Sequence, residues 1–204
     1  MKSRSFFLGL LNLVAVSVSC AEPSKSLSPA GTLPVVAAPS LSEPLAAPWS
    51  VAHGTWTPEN GVLKVVELPE NKHVAVLHHK VGLESALIEC EFRFDGPGAF
   101  LIGCDGGKHI GRVVVRPDGM SIAEDSAKPS HTLETLKVPV TGGGWHQLRV
   151  EWKGDTMLAA LDGQEIRAQH PFLASPKSQS WLAVAKTAQV RGLKISGIPT
   201  PAKP

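Results

Sequence analysis

Hydrophobic and polar residues alternate with a period of two along much of this chain, most cleanly between Gly143 and Gly163. Leu148, Val150 and Trp152 alternate with Gln147, Arg149 and Glu151, the pattern of a strand with one buried face. A Gly154-Asp155 turn follows, after which Met157, Ala159 and Leu161 share one face of a returning segment that ends at Asp162-Gly163. The block predicts two antiparallel strands of a sandwich.

The same reading gives strands at 54–57, 61–67, 73–78, 84–95, 99–104, 108–116, 120–124, 132–138, 145–153, 156–161, 164–168, 180–185 and 189–196. Between them stand turn sequences such as Glu59-Asn60-Gly61, Asp95-Gly96-Pro97-Gly98, Asp105-Gly106-Gly107 and Pro117-Asp118-Gly119. No window carries a 3.6-residue apolar period. Many short strands with regular turns predict an all-β fold, an antiparallel two-sheet sandwich of jelly-roll type.

The flanks read differently. Residues 1–21 have a basic start at Lys2 and Arg4, an apolar run from Phe6 to Val18 and small residues after it, which is an export signal. Cys20 stands where a lipoprotein signal places its acylated cysteine, although Ser17 replaces the usual Leu three positions earlier. Residues 22–48, rich in Pro, Ser and Ala, are expected to be a disordered linker. The domain spans 49–198, and 199–204 form a tail. No later apolar segment is long enough to span a membrane. The expected location is periplasmic, cell-surface or secreted.

Composition narrows the function classes. The 20 Lys and Arg against 18 Asp and Glu give a formal charge of +2, with the cations scattered between acids. That balance gives no case for nucleic acid as a partner. Nineteen Gly and seventeen Pro suit strands and turns. Tyr is absent, so aromatic contacts fall to five Trp and six Phe. Cys90 and Cys104 flank the Gly96-Pro97-Gly98 turn. Read as a hairpin, this turn sets them opposite each other, where an exported chain can form a disulfide. Two small buried hydrophobes is the other reading.

Strand register predicts which side chains share a face. With Ile88, Cys90, Phe92 and Phe94 inward, Glu89, Glu91 and Arg93 point outward. Val113 and Val115 inward leave Arg112 and Arg116 outward, and Arg149 and Glu151 lie outward beside Trp145. If these strands are neighbours they make one mixed-charge face, either a set of cross-strand ion pairs or a Trp-edged sugar surface. Among eight histidines, His78 and His79 alternate faces, and no pair has metal-ligand spacing, so neither metal nor cofactor is expected. His146 is expected to be hydrogen-bonded at the sandwich rim. His170 and Lys177, on one loop, are candidate binding residues.

Trp56, Asn60-Gly61-Val62-Leu63, the stretch from Ile88 to Phe94, and Gly144-Trp145-His146 through Asp162-Gly163 resemble the concanavalin A-like superfamily. The chain is most similar there to bacterial 3-keto-disaccharide hydrolase (3-keto-glucoside lyase/hydratase) domains. That resemblance implies a hydrolase or lyase acting on oxidised sugars. The Gly-Tyr-Glu segment of the larger members is missing from this Tyr-free chain. Laminarinase-type relatives carry Glu-x-Asp-x-(x)-Glu on one strand, and the nearest counterpart here is Glu89-x-Glu91 followed by Arg93. Loss of the third carboxylate favours an exported module that recognises carbohydrate or a surface partner without catalysis. The oxidised-sugar enzyme is the alternative, and a purely structural role is a third reading.

Overall fold

The computed structural model describes residues 26–29 and 31–200. The expected export signal, with Cys20, lies outside the described residues. The strands are β1 (Val35–Ala37), β2 (Trp49–His53), β3 (Thr55–Glu59), β4 (Val62–Val66), β5 (Ala75–His79), β6 (Leu83–Phe94), β7 (Ala99–Asp105) and β8 (His109–Arg116). They continue as β9 (Gly119–Glu124), β10 (His131–Lys137), β11 (His146–Lys153), β12 (Thr156–Leu161), β13 (Gln164–Gln169), β14 (Gln179–Ala185) and β15 (Thr187–Pro199). Two single-turn 3-10 pieces, Pro69–Asn71 and Pro171–Ala174, complete the set, with no α-helix among the described residues.

These strands form two antiparallel sheets. The first runs β13-β12-β11-β6-β15-β4-β3 with β1 also on β15, and the second runs β10-β9-β8-β7-β14-β5-β2. The chain passes repeatedly between layers, which makes the fold a jelly-roll sandwich rather than a meander. Alternation puts Ile88, Phe92, Val150 and Trp152 from the first sheet against Phe100, Ile102, Val113 and Leu182 from the second. Phe92 stacks on Phe100 at 4.8 Å and meets Phe94 edge-on at 5.2 Å, tying both layers through one aromatic cluster.

Three expectations are corrected. Cys90 and Cys104 are free and not opposite each other, because Gly96-Pro97-Gly98 carries the chain from β6 in one sheet to β7 in the other. Both point inward, and burial first of all pushes each thiol up to about 12, so they act as apolar fillers.

Nor is 22–48 a free tether throughout its described part. β1 pairs with the far half of β15, and Leu41 is only 1% exposed in the core. Average composition hid this, because β15 extends beyond β4 and leaves an open edge that three residues can fill. Ser26 and Leu27 also donate to the buried Glu151 carboxylate at 2.8 and 2.9 Å.

The tail, finally, starts later than expected, since β15 reaches Pro199 and Thr200 N–H donates to the Gly82 carbonyl at 2.9 Å.

Candidate functional site

The expected mixed-charge face divides between the two sheets. β6 and β11 are neighbours, so Glu89 lies across from Arg149 and Glu91 across from Gln147. β8 belongs to the other sheet, and Arg112 therefore sits on the opposite side of the molecule. On the first sheet the charges neutralise one another: Lys194 donates to Glu89 at 3.1 Å, Arg191 to Glu91 at 2.5 Å, and Arg149 to Glu151. Arg93 lies 3.7 Å from Asp95, and Trp145 is clasped between Arg93 and Arg191, whose guanidinium carbons lie 5.2 and 4.1 Å from the ring centre. Ion pairs, across strands at Glu89 and Glu91 and between near neighbours in sequence at Arg149–Glu151 and Arg93–Asp95, account for this face.

The loop candidates have structural partners. The His170 ring nitrogen accepts from Phe172 N–H at 3.3 Å and caps the Pro171–Ala174 turn, with the Glu124 carboxylate 3.9 Å away. Lys177 is buried and donates to the carbonyls of Leu173 and Ser175 at 2.6 and 3.2 Å. Burial pulls its pKa down, and the ammonium is spent on closing its own loop. Similarly, Asp162 and the Thr141 carbonyl hold His146 at 2.7 and 2.9 Å, at the rim.

A groove of about 660 Å³ lies instead on the outer face of the second sheet. Its floor follows from register. His78 on β5, Trp181 on β14, Gly103 on β7, Arg112 on β8, Ala123 on β9 and Thr132 on β10 form one cross-strand row. At Gly103 a Cβ would lie 2.3 Å from the Trp181 ring, so only glycine lets the indole lie flat across the neighbouring strand. Val76 and Ala183 join Trp181 in a small apolar cluster separate from the main core, with Leu101 packed against it.

Polar groups converge at one end of that floor. The Asp105 carboxylate receives Trp181 Nε1–H at 2.7 Å and Gln179 Nε2–H at 3.1 Å, and pairs with His109 Nδ1 at 2.7 Å. Burial raises the Asp105 pKa, but these hydrogen bonds outweigh it and hold the group below the usual carboxylate range. Its bond to Asp105 raises the His109 pKa in turn, more than burial lowers it. Arg112 donates to Asp125 and, at 2.7 Å, to the Ser130 hydroxyl. The groove thus presents rigidly oriented donors and acceptors around an apolar floor, the usual make-up of a small-molecule site. Among the described residues, no cluster of His, Cys, Asp and Glu is arranged to hold a metal ion.

Of the charged residues predicted to point outward, Arg112 and Arg116 lie in this groove, and the other binding candidates do not. Trp181, Asp105, His109 and Gln179 were missed, yet a signal existed. Leu182 and Val184 face the core, which leaves Trp181 as an aromatic on the outward register of a predicted strand, across from a mid-strand glycine.

No family model matches this chain, and no curated protein does. Solved structures do share its fold. Carbohydrate binding module CBM66 from Bacillus subtilis is similar at TM-score 0.59 and 16% identity, over 73% of this chain and 95% of that one. The CBM2 module of the evolved Dit of Lactobacillus casei BL23 phage J-1 superposes at TM-score 0.62 and 9% identity, over 83% and 98%. A Bacillus licheniformis β-glucanase superposes at 0.58 and 10%, over 81% and 99%. Identities this low speak to the fold alone, an antiparallel two-sheet jelly roll.

Proposed function

We propose that this chain is an exported β-sandwich module that recognises carbohydrate without catalysis, and that the groove over Trp181 is its sugar site. The carrying observation is the apolar floor of Trp181, Val76 and Ala183, bordered by Asp105, His109, Arg112 and Gln179. Sugars offer C–H faces and hydroxyls together, and such a surface meets both. Modules named for carbohydrate binding are among the structures of the same fold.

The groove is poorly equipped for glycoside hydrolysis, which calls for a protonated carboxylic acid beside a second carboxylate. Asp105 is held ionised by its three partners. Asp125, which borders the adjoining loop recess, is clasped by Arg112 and Ser130. Resemblance to 3-keto-disaccharide hydrolase domains supports the second reading, turnover of an oxidised disaccharide.

Glycan-array binding, calorimetry on the hits and a 3-keto-disaccharide turnover assay separate the two. Recognition predicts binding that Gln179→Ala weakens at least tenfold and Gln147→Ala, on the other sheet, leaves intact. Turnover of the keto-sugar would transfer the assignment to the second reading, and absence of both binding and turnover would remove both.

A further inference from the structure

We propose that the ligand of this groove is an acidic polysaccharide, one carrying carboxylate or sulfate groups at regular intervals along its chain. The inference rests on the carbohydrate reading above and adds the ligand class. Beyond the Asp105 end the groove continues into a recess of about 930 Å³ lined by Lys108, Lys128 and the loop from Asp125 to Ser130. The two share Asp105, His109, Arg112, Ser130 and Gln179, so they form one surface.

Its charges are unequal. Four fixed cations, Lys108, Arg112, Arg116 and Lys128, face two carboxylates, Asp105 and Asp125. Both carboxylates are committed internally, Asp105 to Trp181, Gln179 and His109, and Asp125 to Arg112 and Ser130. Arg112 is committed to Asp125 in turn, which leaves Lys108, Arg116 and Lys128 as the cations without a carboxylate partner among the described residues. Arg116 and Lys128 are exposed and form no ion pair among the described residues, and Lys108 rests its ammonium 4.6 Å from the Phe172 ring centre. The formal surplus of the whole chain is +2, and the same surplus stands along this one surface.

The cations are spread along the groove. Arg112 and Arg116 are four residues apart on one strand, about 13 Å at strand rise, with Lys108 and Lys128 at the loop end. Spacing of this order spans two to three sugars, so a chain charged at each sugar, or at every second or third, can set an anion beside each cation. Indole and aliphatic surface beside Arg112, from Trp181 across Gly103 and from the neighbouring Leu101 and Val114, takes the sugar rings between anions, a contact that a simple polyanion lacks. Focusing of positive potential in a walled groove also predicts fast, salt-sensitive association.

The test is calorimetric titration of the chain with polygalacturonate, with a sulfated galactan and with a neutral β-glucan, each at low and at physiological salt. The expected result is at least tenfold tighter binding of one acidic polymer than of the neutral one. Arg116→Gln combined with Lys128→Gln should lose that advantage while keeping the wild-type unfolding midpoint. The two acidic arms identify which anion is read.

Equal or tighter binding of the neutral glucan would overturn this proposal and leave carbohydrate recognition standing, whereas no binding in any arm would sink both. Acidic-polymer binding that survives Gln179→Ala and Trp181→Phe, or that a single-stranded oligonucleotide matches, would reveal plain polyanion attraction and also overturn it.

Discussion

Single side chains on the two sheets divide into packing and recognition. Trp152 is 1% exposed between the layers, so Trp152→Ala should cost about 3–5 kcal/mol, read from a urea unfolding curve. Trp145 lies outside the core between two guanidinium groups, and Trp145→Ala should cost about 1 kcal/mol and leave glycan affinity unchanged. His79 poses a different problem. It is fully buried, meets Trp49 at a tilt with ring centres 4.7 Å apart, and neither ring nitrogen has a hydrogen-bond partner among the described residues. Burial holds its pKa below the ordinary 6.5. The unfolded chain therefore takes up this proton first as pH falls. The contribution to stability is full above about pH 6.5 and declines below it. His79→Phe should flatten that decline, and comparing unfolding free energies of wild type and variant at pH 7.5 and 5 measures it. A variant curve parallel to wild type would contradict the assignment.

At the level of elements, the N-terminal strap changes most relative to the sequence reading. β1 completes the edge left open by β15, Gly197 N–H donates to the Pro34 carbonyl at 2.9 Å, and Leu41 closes the core beneath. Leu41→Ala should cost about 2–5 kcal/mol, where a tether residue would cost nothing measurable. Thermolysin, followed by mass spectrometry, should cut at Leu41 only under conditions that unfold the domain. Early cleavage there would restore the tether. Alternation alone marked the long central strands to within a residue or two, because their inward positions are uninterrupted. β1 and β2 escaped it, since each borrows an edge from a strand distant in sequence.

Across the whole molecule, one core separates two outer faces with different electrostatic solutions. The first sheet cancels its charges across strands, and the second keeps unbalanced cations along a groove. Changes on the two faces share no partners, so Trp145→Ala and Trp181→Phe should add in stability to within about 0.3–0.5 kcal/mol in the double variant. A larger deviation would mean that the faces communicate through the core. By itself the sequence determined the fold class and which residue of each strand points inward, because period-2 burial is written locally in the chain. It also contained the outward register of Trp181 and of the Glu89 and Glu91 pair. Which strands are neighbours was decided only by the tertiary structure. That arrangement parted Cys90 from Cys104 and Arg112 from Glu91, and brought Asp105, His109, Gln179 and Trp181 together from three strands. The physical reason is that pairing partners are chosen by how two layers bury their faces jointly, a property of distant segments that no local pattern carries.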